Sequence, residues 1–442
     1  MVLSQSQTRI FLEIQTFALP VNHHPSSYAD PHGRLFIAAE GRLFRGLHGT
    51  GAALCRKLID EGVVDELLDR RLIVGTSLSS KVIAGYELVL EHERVPHVSY
   101  PYEWGAEMLR AAAIHTLDML ELLASYGYTL RDAHGWNVLF EGTTPVFVDF
   151  GSIIERPQDG AWQAEQEFLE YFLHPLAMMG EGHDRIARSL LRDFEQGVRI
   201  SDCESIRGLG VPQRPSECPP FQWYRNLIAA YDFRPAQTAW AGYYGEDFPS
   251  FVPPQGWSGK HHAVAKILDE QRLETVLDIG SNSGWYALYA ASQGAKVVAF
   301  DNDTTCINDL FVRARELNAD VQALVMSFVN PSPRYGVGSG VMESSVERLG
   351  CQTVLALALV HHLVFRMHLT FPQIVEGLAA YTRNRLVVEF PPADDVHVRQ
   401  WMSPRYDWYS LENFRSALGA HFSRIRVVES EPAPRVILVC DR

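Results

Sequence analysis

Residues 275–301, TVLDIGSNSGWYALYAASQGAKVVAFD, hold two carboxylates, Asp278 and Asp301, on either side of a glycine-punctuated turn. Asp301 stands about 20 residues past the glycines, the place from which a carboxylate accepts hydrogen bonds from a ribose 2′-hydroxyl. A dinucleotide pyrophosphate asks for G-x-G-x-x-G, so that backbone amides close on it at a helix start. Here the turn reads Gly280-Ser281-Asn282-Ser283-Gly284, without the middle glycine, and Asp278 comes just before it. A carboxylate there is awkward beside a pyrophosphate and suits a cation that carries an ammonium and a sulfonium.

The pattern resembles motif I of the class I S-adenosylmethionine-dependent methyltransferases, with Asn282 in place of the usual central glycine. The resemblance implies S-adenosylmethionine as cofactor, held by Asp278, Gly280, Ser281, Asn282, Gly284 and Asp301. The alternative, a strand–helix–strand crossover with no ligand, leaves both strand-end carboxylates and the glycine turn as coincidence. Methyl transfer needs an in-line nucleophile at roughly 3 Å, and an oxygen or nitrogen acceptor often has to lose a proton. In LALALVHHLVF, His361 and His362 follow an apolar run directly, and histidine titrates in the range of a general base. As neighbours pointing opposite ways, one is expected to pack inward and one to face the acceptor. Glu389, ahead of Phe390-Pro391-Pro392, is the third catalytic candidate, for substrate contact. The spacing of Glu389, Asp394 and His361 is not diagnostic of a metal, and none is expected. Ser327 occupies the place where such enzymes often carry an acidic residue toward adenine.

A second set of chemistry-bearing residues lies upstream. LRDAHGWNVLF places Asn137 five residues after Asp132, and FVDFGS supplies Asp149. This set resembles the catalytic loop and metal-binding aspartate of protein kinases, which implies Asp132 as proton acceptor and Asn137 and Asp149 as holders of Mg²⁺ with ATP. The remaining kinase parts are poor. Gly46-Leu47-His48-Gly49-Thr50-Gly51 has the wrong order for a phosphate-covering loop, and upstream lysines are limited to Lys57 and Lys81. A degenerate kinase-like lobe that binds substrate, nucleotide or a protein partner is the expectation.

These residues need elements to carry them. Apolar runs at 276–279, 296–300, 321–326, 354–359 and 386–389 read as parallel strands alternating with helices, one helix over 261–270 leading in. Runs at 424–429 and 435–440 are joined by a link too short for a crossover helix, so they must be antiparallel neighbours. The fold class expected is α/β: a Rossmann-like seven-stranded methyltransferase sheet with a reversed last strand, preceded by an α+β kinase-like domain. Upstream of Asp132, Leu109, Ala113, Leu117, Leu120 and Ala124 share one helix face.

The 442-residue chain exceeds one typical domain. The expected divisions are a kinase-like domain over 1–202, a proline- and aromatic-rich ordered connector over 203–260, and a methyltransferase domain over 261–442. The connector's Phe221, Trp223, Tyr224, Trp240, Tyr243, Tyr244, Phe248, Phe251 and Trp257 are expected to pack on a neighbouring domain. A net charge of −14 without a basic run argues against nucleic acid as partner. Six scattered cysteines fit reduced thiols, and no secretory signal or membrane span is read, so a cytoplasmic protein is expected.

The strings YPYEW (100–104), LRDAHGWNVLF, DIGSNSG, NPSP (330–333) and LALALVHHL, in that order, are similar to a group of bacterial two-part proteins identified as methyltransferases, a host-specificity nodulation protein in particular. The leading expectation is methyl transfer to a small-molecule acceptor oxygen or nitrogen, with nodulation host specificity implied by that resemblance. A phosphotransferase on Asp132, Asn137 and Asp149 and a non-catalytic regulatory protein are the alternatives.

Overall fold

The computed structural model describes residues 21–25, 27, 31–233, 248–251 and 256–442. Two compact units result: the described residues up to 70 together with 74–94, and 71–73 together with 95–442. In the first, β1 (Val21–His23), β2 (Gly33–Ala38), β3 (Leu43–Leu47), β4 (Thr76–Leu78) and β5 (Leu88–His92) form an antiparallel sheet in the order β1-β2-β3-β5-β4. Helices α1 (Gly49–Asp60) and α2 (Val63–Asp69) lie between β3 and β4 in the chain. The glycine-rich stretch 46–51 thus ends a strand and begins a helix. Phe36, Phe44, Ile83 and Val89 form a buried core cluster in this unit.

The second unit opens with α3 (Ala106–Ser125), whose Leu109, Ala113, Leu117 and Leu120 are buried. Two antiparallel ladders follow, β6 (Tyr128–Leu130) with β9 (Ile153–Glu155) and β7 (Val138–Glu141) with β8 (Thr144–Phe147). Then come α4 (Glu165–Phe168), α5 (His174–Gly180), α6 (Asp184–Leu190), α7 (Ile200–Glu204) and α8 (Pro220–Ala230). Pro220 begins α8, where its missing N–H has no helical partner to lose. The proline-dense connector is therefore partly helical. Phe221 and Tyr224 pack on Trp162, and Tyr224 also on Phe168, while Phe251 and Trp257 pack on Trp285. Trp240, Tyr243 and Tyr244 lie outside the described residues.

The rest of the unit alternates α9 (Gly259–Leu268), β10 (Thr275–Ile279), α10 (Trp285–Ser292), β11 (Lys296–Asp301), α11 (Thr304–Glu316), β12 (Val321–Val325), α12 (Ser345–Leu349), β13 (Cys351–Ala356), α13 (Val360–Phe365), α14 (Phe371–Tyr381), β14 (Thr382–Phe390), α15 (Leu411–Leu418), β15 (Arg424–Glu429) and β16 (Val436–Asp441). The sheet order is β12-β11-β10-β13-β14-β16-β15, parallel throughout except for β16, which runs antiparallel to both β14 and β15. That order and that single reversed strand, the last in the chain, constitute the class I methyltransferase fold. Its central strands are apolar because helices cover both faces. The fourth parallel strand ends at Ala356, earlier than its apolar run suggests, and residues 360–365 continue that run as a buried helix. Short apolar runs do not distinguish buried strand from buried helix.

The divisions expected at 202 and 260 fall inside this unit. Arg348 Nη2 lies 2.6 Å from Glu103 Oε1, both side chains 1% exposed. Ser332 Oγ donates to the same carboxylate, Tyr100 OH donates to the Glu343 carbonyl at 3.2 Å, and Arg348 lies 3.9 Å over the Tyr100 ring. YPYEW and NPSP therefore meet in the folded chain. All six cysteines are unpaired thiols.

Candidate functional site

A cavity of about 820 Å³ opens at the carboxyl ends of β10–β13, where a parallel sheet exposes strand-end side chains. Asp278, Gly280, Ser281, Asn282 and Asp301 line it. The turn between β10 and α10 takes left-handed backbone at Gly280 (φ 71), Asn282 (φ 52) and Gly284 (φ 76). Asparagine is among the few side-chain-bearing residues that tolerate this region, so Asn282 serves where the motif usually has glycine. Its N–H donates to Asp301 Oδ2 at 2.9 Å, and Asp303 N–H donates to Oδ1 at 2.9 Å. Gly284 does not reach the cavity wall. A Cβ there would come within 2.3 Å of Leu310 Cδ1, so glycine lets α11 close on the turn.

Asp278 is 2% exposed, and its Oδ2 has no hydrogen-bond partner. Burial and then the neighbouring Asp301 charge push its carboxyl up to about 7, against the opposing pull of Lys260. Burial likewise raises Asp301, which its backbone N–H donors counteract. A buried carboxylate oxygen without a partner inside a cavity asks for a cation or a donor from a ligand.

The two histidines begin α13, where successive residues turn by about 100° rather than pointing oppositely as on a strand. His362 lines the cavity; His361 is 3% exposed, does not line it, and stacks on Trp401 with ring centroids 5.9 Å apart. Burial, then His362 and Arg435, lower His361 to about 3. Burial, then Arg366 and Arg435, lower His362 to about 4, so both imidazoles are neutral near pH 7. Glu389 lies within β14 rather than past it, is fully buried, and does not line the cavity. Its partners are Lys260 Nζ at 2.7 Å and Ser430 Oγ at 3.2 Å. Ser327 does line the cavity. Among the described residues no group of three or more His, Cys, Asp or Glu is placed to hold a metal ion. Asp395, the neighbour of Asp394, is paired with Arg435, at 2.8 Å.

Sequence reading missed Ser258, Lys260 and His261 at the start of α9, and residues 431–433 of the link between β15 and β16, all of which line the cavity. The link returns to the site because β15 ends and β16 begins at the edge where the parallel strands end, and Glu431 Oε2 accepts from Gly259 N–H at 2.6 Å.

The kinase-like residues gather at the ends of the two small ladders. Arg131 N–H donates to the Ser152 carbonyl, continuing the β6–β9 ladder, and Asp132 N–H donates to the Ser152 side-chain Oγ. Val148 N–H donates to the Asn137 carbonyl at 2.9 Å, which sets Asn137 beside the segment leading to Asp149. Asp132 pairs with Arg131 at 3.0 Å, Asp149 Oδ1 accepts from Gly151 N–H at 3.2 Å, and Asn137 Nδ2 is buried without a partner.

No protein-family model matches the chain. Among solved structures, magnesium protoporphyrin IX methyltransferase (ChlM) from Synechocystis PCC 6803 with bound SAM is 17% identical, with a TM-score of 0.31, 46% of this chain and 89% of that chain covered. The bifunctional kinase-methyltransferase WbdD is also 17% identical, with a TM-score of 0.28 and 41% and 37% covered. No helix among the described residues is long and apolar enough to cross a membrane. In sequence, the Nodulation protein NoeA of Rhizobium meliloti (strain 1021) is 26% identical over 451 positions, 92% of this chain and 93% of that protein. The chain is thus similar to NoeA along nearly all of both sequences, and its C-terminal half has a class I methyltransferase fold.

Proposed function

We propose that the chain transfers a methyl group from S-adenosylmethionine to a small-molecule oxygen or nitrogen acceptor in the cavity at the ends of β10–β13. The observation that carries this reading is the buried Asp278, whose unpartnered oxygen lies in a cavity shared with Asp301 and the left-handed glycine turn. When bound, S-adenosylmethionine supplies an electrophilic methyl group on a sulfonium. Asp278 would face its positive end, and Asp301 its ribose hydroxyls. His362 would accept the acceptor's proton at a ring nitrogen, its neutral form being the populated one near pH 7. His361 would brace it from behind, with ring centroids 4.2 Å apart. Glu389 would act through Lys260 rather than touch substrate. Methyl-labelled S-adenosylmethionine incubated with small-molecule extracts is expected to yield a labelled product by mass spectrometry, about a hundredfold less with His362→Ala and little changed with His361→Phe. Equal turnover by His362→Ala removes the histidine from the mechanism.

A second reading is favoured by one observation, the convergence of Asp132, Asn137 and Asp149 on neighbouring ladder ends. We propose that this region binds Mg²⁺ with ATP. Thermal unfolding is expected to shift upward with Mg²⁺-ATP in the parent and not in Asp149→Ala; indifference of the parent rejects it.

A further inference from the structure

Lys260 is the second residue of α9, and its side chain is in the cavity wall. Buried lysines are uncommon, and this one is only 9% exposed. Its Nζ donates to Glu389 Oε2 at 2.7 Å, while Ser430 Oγ donates to Glu389 Oε1 at 3.2 Å. Glu389 is fully buried behind it, so the ion pair is oriented, with the anion in the sheet and the cation toward the cavity. One of three ammonium protons is used by Glu389, leaving donors for a ligand. The first turn of α9, capped by Ser258, adds partial positive charge on the same side. Lys260 is also close enough to Asp278 to oppose the rise of its carboxyl. The cavity therefore presents a carboxylate with an unused oxygen and an ammonium with unused protons near one another. An α-amino acid carries the complementary pair, an ammonium and a carboxylate on one carbon.

We propose that Lys260, held in place by Glu389, receives the α-carboxylate of the amino-acid end of a nucleoside sulfonium or thioether, and so selects ligands that have one. The inference rests on the cofactor reading above. Removing Lys260 alone strands Glu389 as a buried, unpaired charge, so the informative variant is Lys260→Met/Glu389→Gln, which removes both charges. Calorimetry uses three probes: S-adenosylhomocysteine, its decarboxylated analogue, which keeps the ammonium, and 5′-methylthioadenosine, which lacks the whole amino-acid end. The parent is expected to prefer S-adenosylhomocysteine over the decarboxylated analogue by about ten- to a hundredfold. In the double variant that preference is expected to shrink to about twofold or less, while the decarboxylated analogue and methylthioadenosine bind within about twofold of the parent. An unchanged preference in the variant overturns the role of Lys260 and leaves the cofactor reading standing. Equal loss of all three probes assigns the pair to the fold and also overturns it. A parent that binds none of the three rejects the cofactor reading itself.

Discussion

Asp278 combines near-complete burial with a carboxylate oxygen that has no partner, and its burial follows from its place inside β10 rather than after it. A carboxyl held up to about 7 keeps its proton to a higher pH than in the unfolded chain. Native stability therefore falls as pH rises from the usual carboxylate range toward 7, because the unfolded state ionises first. Asp278→Asn is expected to raise the ligand-free melting temperature by a few degrees at pH 8, with the gain vanishing near pH 4. A bound cation reverses the sign, since only the ionised carboxylate attracts it. S-adenosylhomocysteine affinity should rise between pH 6 and 8 in the parent, with proton release on binding, and stay flat in Asp278→Asn; a flat parent profile separates Asp278 from the ligand. This carboxylate was legible because its motif is local. Lys260 was not, since its partner Glu389 lies 129 residues further on. Glu389 was read as a strand-end group because prolines follow it. In fact β14 runs to Phe390 and pairs with β16, which takes Glu389 into the interior.

At the scale of elements, the unit β10–α10–β11 was read nearly to the residue, since apolar runs and glycines mark its ends. The reversed strand was legible too, from the brevity of the link between β15 and β16. The helical setting of the histidine pair was not, because LALALVHHLVF reads equally well as strand, whereas the chain breaks into β13 and α13 with His361 packed against Trp401. Gly284 tests the local account. It combines φ 76 with a would-be Cβ contact of 2.3 Å to the buried Leu310. Gly284→Ala is expected to cost about 2–3 kcal/mol in urea unfolding, through left-handed strain and overpacking. A loss below about 0.5 kcal/mol would mean that α11 does not press on the turn as described.

At the scale of the whole molecule, residues 95–442 hold together through contacts that no local pattern announces. Glu103 and Arg348 are 245 residues apart in sequence, yet form a fully buried pair that also engages Ser332 and the Tyr100 ring. The distinctive strings in the two halves of the sequence are therefore two sides of one internal contact. Arg348→Met leaves the Glu103 carboxylate buried and unpaired and is expected to cost about 3–5 kcal/mol, with much of it recovered in Glu103→Gln/Arg348→Met. Equal stability of parent and Arg348→Met would show that the pair does not join these segments. The central claim, that the cavity beside Asp278 and Asp301 holds an S-adenosyl ligand, is tested most directly by titrating S-adenosylhomocysteine into the full-length protein in a calorimeter. Saturable binding with a dissociation constant of about 1–100 μM is expected, weakened about tenfold or more in Asp301→Ala. No heat of binding in the parent, or full affinity in Asp301→Ala, contradicts it.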